Sequence, residues 1–189
     1  MKILCILGKT ASGKDYITNM LLASNKNFKK AISYTTRPKR DGEIDGKDYH
    51  FISDKEFDLM LKNNEFLEST SYNVNGKIWR YGYAKGSFDK FGVNIVICNP
   101  YGFDTLIKSE YKDSISALYL YCNEILRKER YFKRDKNANI NDFEARLIQD
   151  NKDFENIASL IRKAKLSAII DTSKTIKKEI LKTVKELTK

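Results

Sequence analysis

Residues 3–7, ILCIL, form an unbroken apolar run that ends on Gly8 and passes directly into KTASGKD. Few arrangements accept that order. A short run without polar residues suits a strand buried on both faces, as in a parallel sheet. Gly8, Gly13 and Lys14 then fall at the G-x-x-x-x-G-K spacing of a phosphate-binding loop. Helical periodicity begins near Lys14, with Ile17, Met20 and Leu21 turned inward. Strand, glycine loop and helix follow in the order the motif needs. Backbone N–H groups of such a loop, here including Ala11, Ser12 and Gly13, and the helix N-terminus present partial positive charge to a phosphate. Lys14 would neutralise the β- and γ-phosphates. The competing reading is a glycine turn with an incidental lysine, which leaves the complete context unexplained.

The motif ordinarily continues with Ser or Thr, whose hydroxyl binds Mg²⁺. Here it continues with Asp15. A carboxylate is also a hard oxygen donor and a Mg²⁺ ligand, directly or through water. An acid in the first helical turn is equally favoured for its own sake. Both readings of Asp15 stay open.

Further buried-strand candidates are VNIVIC at 93–98, ISALYLY at 115–121 and SAII at 167–170. Helical patterns lie between them. Ser53 and Glu56 read as a capping box opening a helix through about Lys62. Pro100 suits the first turn of a helix through about Lys108. Charged helical sequence runs from about Asn123 to Arg134 and from about Asn141 to Lys163. At the end, Ile176, Ile180, Val184 and Leu187 fall on one helical stripe between Lys174 and Leu187. Strands alternating with helices predict an α/β fold: a central parallel sheet flanked by helices, with right-handed crossovers. Residues Tyr34 to about Gly82 are polar and turn-rich, and read as an insertion over the ligand-binding end of the sheet.

The chain has 189 residues, enough for one domain. No apolar run approaches the roughly 20 residues a membrane span needs, and MKILCIL lacks the small-residue cleavage site of a signal peptide. Cys5, Cys98 and Cys122 are dispersed, which fits a reducing, cytoplasmic setting and argues against a disulfide frame or zinc site. The net charge of +10 fits phosphorylated small molecules, nucleic acid or an anionic membrane surface. Most of the lysines read as a solvated surface, and the phosphate loop leaves nucleic acid and membrane the weaker explanations.

The most specific stretch is SYTTRPKRDGEIDGKDYHFI, residues 33–52. Arg37 and Arg40 lie three apart, so both guanidinium forks could grip one phosphate, a task for which Arg is better shaped than Lys. Tyr49 could donate a further hydrogen bond to it. Such a clamp would hold an acceptor monophosphate in line with a donor's γ-phosphate. The competing reading pairs the arginines with Asp41, Glu43 or Asp45 in a polar turn.

Thr35, Thr36, Arg37, Arg40, Glu43, Gly46, Tyr49 and Phe51 together resemble, without a gap, the signature of the guanylate kinase family. The resemblance extends over roughly residues 2–187 and is strongest up to Phe51. It implies a P-loop kinase fold with a small acceptor-binding insertion, about 33–83, and an arginine-bearing lid, about 127–146. The core would comprise 1–32, 84–126 and 147–189. It implies ATP with Mg²⁺ at Gly8, Ala11, Ser12, Gly13, Lys14 and Asp15. It implies an acceptor, GMP or dGMP, at Ser33, Arg37, Arg40, Glu43, Tyr49, Glu68 and Tyr81. Glu68 in NEFLES corresponds to the family's reader of guanine, which offers two adjacent N–H donors to a carboxylate. Arg130, Arg134 and Arg146 correspond to lid arginines that stabilise the transferring phosphoryl group. Arg127, Lys128 and Lys133 read as a solvated basic face.

The pattern also departs from the family's. Tyr83 stands where a Ser or Thr follows Tyr-Gly, and Ile97 and Asn99 stand where two carboxylates are expected. These departures keep a different phosphorylated acceptor open as the substrate. A non-catalytic binding module of the same shape is the other alternative. Oligomeric state is not legible.

Overall fold

The computed structural model describes residues 1–74, 76–134 and 139–189. A five-stranded sheet lies at the centre, in the order β2 (Phe28–Lys30), β7 (Val93–Ile97), β1 (Lys2–Gly8), β8 (Ile115–Tyr121), β9 (Leu166–Asp171). Every pairing in it is parallel. β1 occupies the middle because its apolar run tolerates burial on both faces. Ile3, Cys5 and Leu7 enter one core with Phe103, Leu106 and Tyr83, while Leu4 and Ile6 enter the other with Ile17, Leu21, Ile180 and Val184. The first core lies under helices α3 (Pro100–Leu106) and α6 (Ile157–Ile161). The second lies under α1 (Lys14–Ser24) and α7 (Lys177–Leu187). This is the expected α/β arrangement of a parallel sheet between helices.

A second sheet of four strands follows the order β4 (His50–Phe51), β3 (Tyr34–Thr35), β6 (Lys77–Ala84), β5 (Phe66–Val74). Helix α2 (Asp54–Lys62) closes it, and its capping box is fully formed: Ser53 Oγ accepts the Glu56 N–H, and the Glu56 carboxylate accepts the Ser53 N–H at 2.7 Å. Arg80 ties α2 to β6 through Asp54 and Asp58, and Phe57 stacks on Phe66.

Three expectations need correction, and one strand was not foreseen. The strand Phe28–Lys30 was not legible; it is three residues long and holds its place by pairing with β7 rather than by pattern. The helix expected over 141–163 is two, α5 (Ile140–Asp153) and α6. It breaks where Phe154 turns in to stack on Tyr119 and Ile157 enters the same core. The last helix begins at Lys177, with Ile176 an extended N-cap that is 60% exposed, so Ile176 is not on the buried stripe. Helix α4 (Glu124–Arg134) has the expected span, but Arg127 on it is buried rather than solvated. The expected loop 135–141 lies mostly outside the described residues. No helix among the described residues is long and apolar enough to cross a membrane.

Candidate active site

The glycine loop leaves β1 at Gly8 and enters α1 at Lys14, at the carboxyl end of the parallel sheet where α/β folds bind ligands. Gly13, the N-cap, has φ of +102°, a left-handed conformation that side chains disfavour, and Ala11 is also left-handed at +59°. These reversals turn the loop into a cup. Lys14 Nζ reaches back across it and donates to the carbonyls of Gly8 at 2.7 Å and Lys9 at 3.2 Å. Burial lowers the Lys14 pKa, opposed by the nearby charges of Asp15 and Asp150. Ser12 is fully buried, and its hydroxyl has no hydrogen-bond partner among the described residues.

Asp15 is exposed in the first turn of α1. Its charge reaches Tyr49, whose pKa is raised chiefly by burial, with smaller contributions including Asp15. Among the described residues no three His, Cys, Asp or Glu side chains gather into a metal cage. A lone exposed carboxylate beside a phosphate cup still suits Mg²⁺, which is held by one or two carboxylates with water and phosphate oxygens.

Arg37, two residues past the end of β3, is 4% exposed. Its guanidinium makes a two-pronged pair with Glu43, at 3.0 Å to Oε2 and 2.6 Å to Oε1, and donates to the Pro38 carbonyl at 2.7 Å. Burial works against the Arg37 charge, but the Glu43 hydrogen bond together with the charges of Tyr81, Glu43 and Tyr49 outweighs it, and the guanidinium pKa is raised. Burial likewise pulls the Glu43 carboxyl upward, and the Arg37 bond, the Arg40 N–H bond and the two arginine charges together hold it below its ordinary value. Glu43 also accepts the Arg40 N–H at 2.8 Å, so it orients both arginines of the motif. The Arg40 side chain is exposed and makes no ion pair among the described residues. Arg37 packs over the rings of Tyr49 and Phe51. Tyr49, Tyr81 and Tyr72 form an edge-to-face row with centroids 5.9 and 5.7 Å apart. The arginine–tyrosine constellation is assembled, with Glu43 as its internal partner.

The row ends at Glu68 on β5, where Glu68, Thr70 and Tyr72 share one face. Glu68 is 5% exposed, and its Oε2 has no partner among the described residues. Burial alone pushes its pKa up to about 7. Gly102 makes room for it: a Cβ there would stand 2.8 Å from Glu68 Oε2. Ser33 is buried nearby on the chain entering β3, its carbonyl accepting the His50 N–H.

Two departures from the family pattern have structural explanations. Tyr83 is a core residue whose hydroxyl donates to the Ile97 carbonyl at 3.0 Å and accepts the Ile97 N–H. Asn99 caps α3 by accepting the Gly102 N–H at 2.7 Å, and its amide donates to the Tyr72 hydroxyl. A cleft of about 400 Å³ opens beside these groups, lined by Thr70, Tyr72, Asn99, Tyr101, Gln149 and Asp153.

The arginines distribute differently. Arg130 is engaged at the back of the loop, donating to the Ser12 carbonyl and to Oγ1 and the carbonyl of Thr172. Arg134 is exposed and stacks over Tyr131, and Arg146 is half-buried on α5. Arg127, which sequence reasoning set aside, is 3% exposed and donates to Asp150 and to the Thr10 carbonyl. Its spacing with Arg130 on α4 was the only signal that could have found it.

Residues 1–82 match the family model described as guanylate kinase. A guanylate kinase of Symbiobacterium thermophilum is 31% identical over 121 residues, 62% of this chain and 56% of that protein. Guanylate kinases of Helicobacter hepaticus (29% over 156 residues, 82% of this chain and 77% of the relative) and Clostridium tetani (33% over 136 residues, 70% and 62%) are also similar. The match thus spans little more than half the length of the first of these relatives. The crystal structure of guanylate kinase from Anaplasma phagocytophilum superposes with a TM-score of 0.66 at 18% identity, covering 98% of this chain and 84% of that one. The loop and the 33–52 motif both fall within residues 1–82, the part of the chain that matches the guanylate kinase model.

Proposed function

We propose that the protein is an ATP-dependent nucleoside monophosphate kinase that phosphorylates GMP or dGMP to the diphosphate. One observation carries the reading: the chain combines a phosphate loop bridged by Lys14 with an Arg37–Tyr49 cluster whose row of rings leads to the buried Glu68, and Glu68 Oε2 has no partner among the described residues. In this reading Gly8 to Asp15 bind ATP, and Lys14 bears on its β- and γ-phosphates. Mg²⁺, held by Asp15 and phosphate oxygens, would neutralise charge on the phosphates. Ser33, Arg37, Arg40, Glu43, Tyr49, Glu68 and Tyr81 hold the acceptor within a unit spanning about 33–83. Arg130, Arg134 and Arg146 belong to a lid of about 127–146 that stabilises the transferring group and excludes water. An acceptor phosphate oxygen attacks the γ-phosphorus, and ADP leaves. Catalysis is positioning and electrostatics, with no covalent intermediate. The three unpaired cysteines support a reducing, cytoplasmic setting.

A panel of nucleoside and sugar monophosphates in a coupled ADP-release assay tests this. GMP and dGMP should be the preferred acceptors. Preference for an acceptor without guanine would favour the second reading, a kinase for another phosphorylated acceptor. Asn99, which offers an amide where the family has a carboxylate, supports that reading. No ADP release with any acceptor would leave a binding module.

A further inference from the structure

The first limb of the phosphate loop is held from outside. Asp150 on α5 accepts the Thr10 N–H at 2.7 Å and the Thr10 hydroxyl at 3.3 Å. Arg127 on α4 reaches the same residue. Its Nη1 donates to Asp150 Oδ2 at 3.1 Å and to the Thr10 carbonyl at 3.2 Å. Both backbone groups of Thr10 are thereby bound to a buried ion pair instead of to the loop itself. Beside it, Lys9 Nζ donates to Asn151 Oδ1 at 2.6 Å.

Stability does not account for this arrangement. Asp150 and Arg127 are 14% and 3% exposed, and burying two charges costs nearly as much as their attraction returns. Arg127 Nε has no partner among the described residues, which adds to the cost. What the pair secures is geometry. A loop that binds phosphate through backbone N–H groups works by having them aimed beforehand. Asp150 also lies four residues after Arg146, on the same side of α5. The carboxylate therefore links the loop to the helix that carries Arg146.

We propose that Asp150, with Arg127 as its counter-charge, is a positioning residue for the phosphate loop. It clamps the Thr10 peptide so that the empty loop already has its nucleotide-binding shape, and it sets α5 against that loop. The inference rests on the ATP-kinase reading. It differs in sign from a simple plug: a carboxylate that merely occupied a phosphate's place would weaken ATP binding, and its removal would tighten it.

The test compares wild type, Asp150→Asn and Asp150→Ala by calorimetric ATP affinity, amide exchange at Thr10 and steady-state kinetics. Asp150→Ala should weaken ATP binding by about tenfold or more, the scale of a lost charge-assisted hydrogen bond. It should also speed exchange of the Thr10 amide and lower kcat, with the KM for the acceptor unchanged. Asp150→Asn, which keeps the size and an acceptor oxygen, should fall between and covers the case in which Asp150→Ala does not fold. Unchanged or tighter ATP binding would overturn the proposal, as would losses shared equally between ATP and acceptor. Affinity and exchange need no turnover. A wild type that binds ATP but phosphorylates no acceptor would refute the kinase reading and leave this one decided by its own measurements.

Discussion

At Glu68 the burial of the carboxyl and its proposed role as base reader concern the same proton. The folded pKa of about 7 lies above the ordinary 4.5 because of burial. Between those values the folded protein holds a proton that the unfolded chain has released. The contribution of this group to stability is therefore full below about pH 4.5 and is lost as pH rises through about 7, a loss of about 3 kcal/mol. Glu68→Gln removes that dependence. Urea unfolding at pH 5 and pH 8 should show the wild type losing stability relative to the variant by up to that amount. Parallel behaviour of the two proteins would contradict the burial argument. The same variant should lose discrimination for guanine, because a carboxamide leaves one of the two guanine donors facing an N–H. Retained selectivity would remove Glu68 as base reader. The Arg37–Glu43 pair makes a contrasting residue-scale point. Sequence offered Glu43 either as part of the acceptor site or as an internal partner of the arginines, and the geometry has it orienting both.

The elements divide by what decides them. β1, β8 and α2 match their expected spans closely because their signals are local: unbroken apolar runs, and a complete capping box. α5, α6 and α7 were misjudged where packing overrides periodicity. Ile176 keeps helical spacing with Ile180, yet one is 60% exposed and the other 4%. Ile180→Ala should cost about 2–5 kcal/mol in denaturant unfolding, and Ile176→Ala less than about 0.5 kcal/mol. Equal costs would restore the stripe as read from sequence. The departures at Tyr83 and Asn99 also belong to this scale. Each is a bond between elements, Tyr83 joining β6 to β7 and Asn99 joining α3 to β5, and neither partner can be named from spacing.

For the molecule as a whole, the charge of +10 either steers anionic substrates or is solvated surface. Raising salt from roughly 0.1 M to roughly 1 M shortens the screening length from about 10 Å to about 3 Å. Steering predicts a several-fold fall in kcat/KM for both substrates with no loss of thermal stability. A flat response would assign the excess charge to the surface alone. By itself, the sequence determined the α/β class, the glycine loop and the motif of residues 33–52, because each is written in residues adjacent along the chain, where spacing is geometry. It also carried the resemblance to guanylate kinases, through the unbroken match ending at Phe51. Only the tertiary structure decided which charges meet. Arg127 looked like one more solvated base on α4 until α5 delivered Asp150 to it, across 23 residues, on the far side of Thr10. Glu68 was legible as a candidate base reader, but its burial was not: Gly102 at α3 leaves the room that its carboxylate fills. Burial and counter-charge are properties of neighbours in space, and the order of residues along the chain does not specify them.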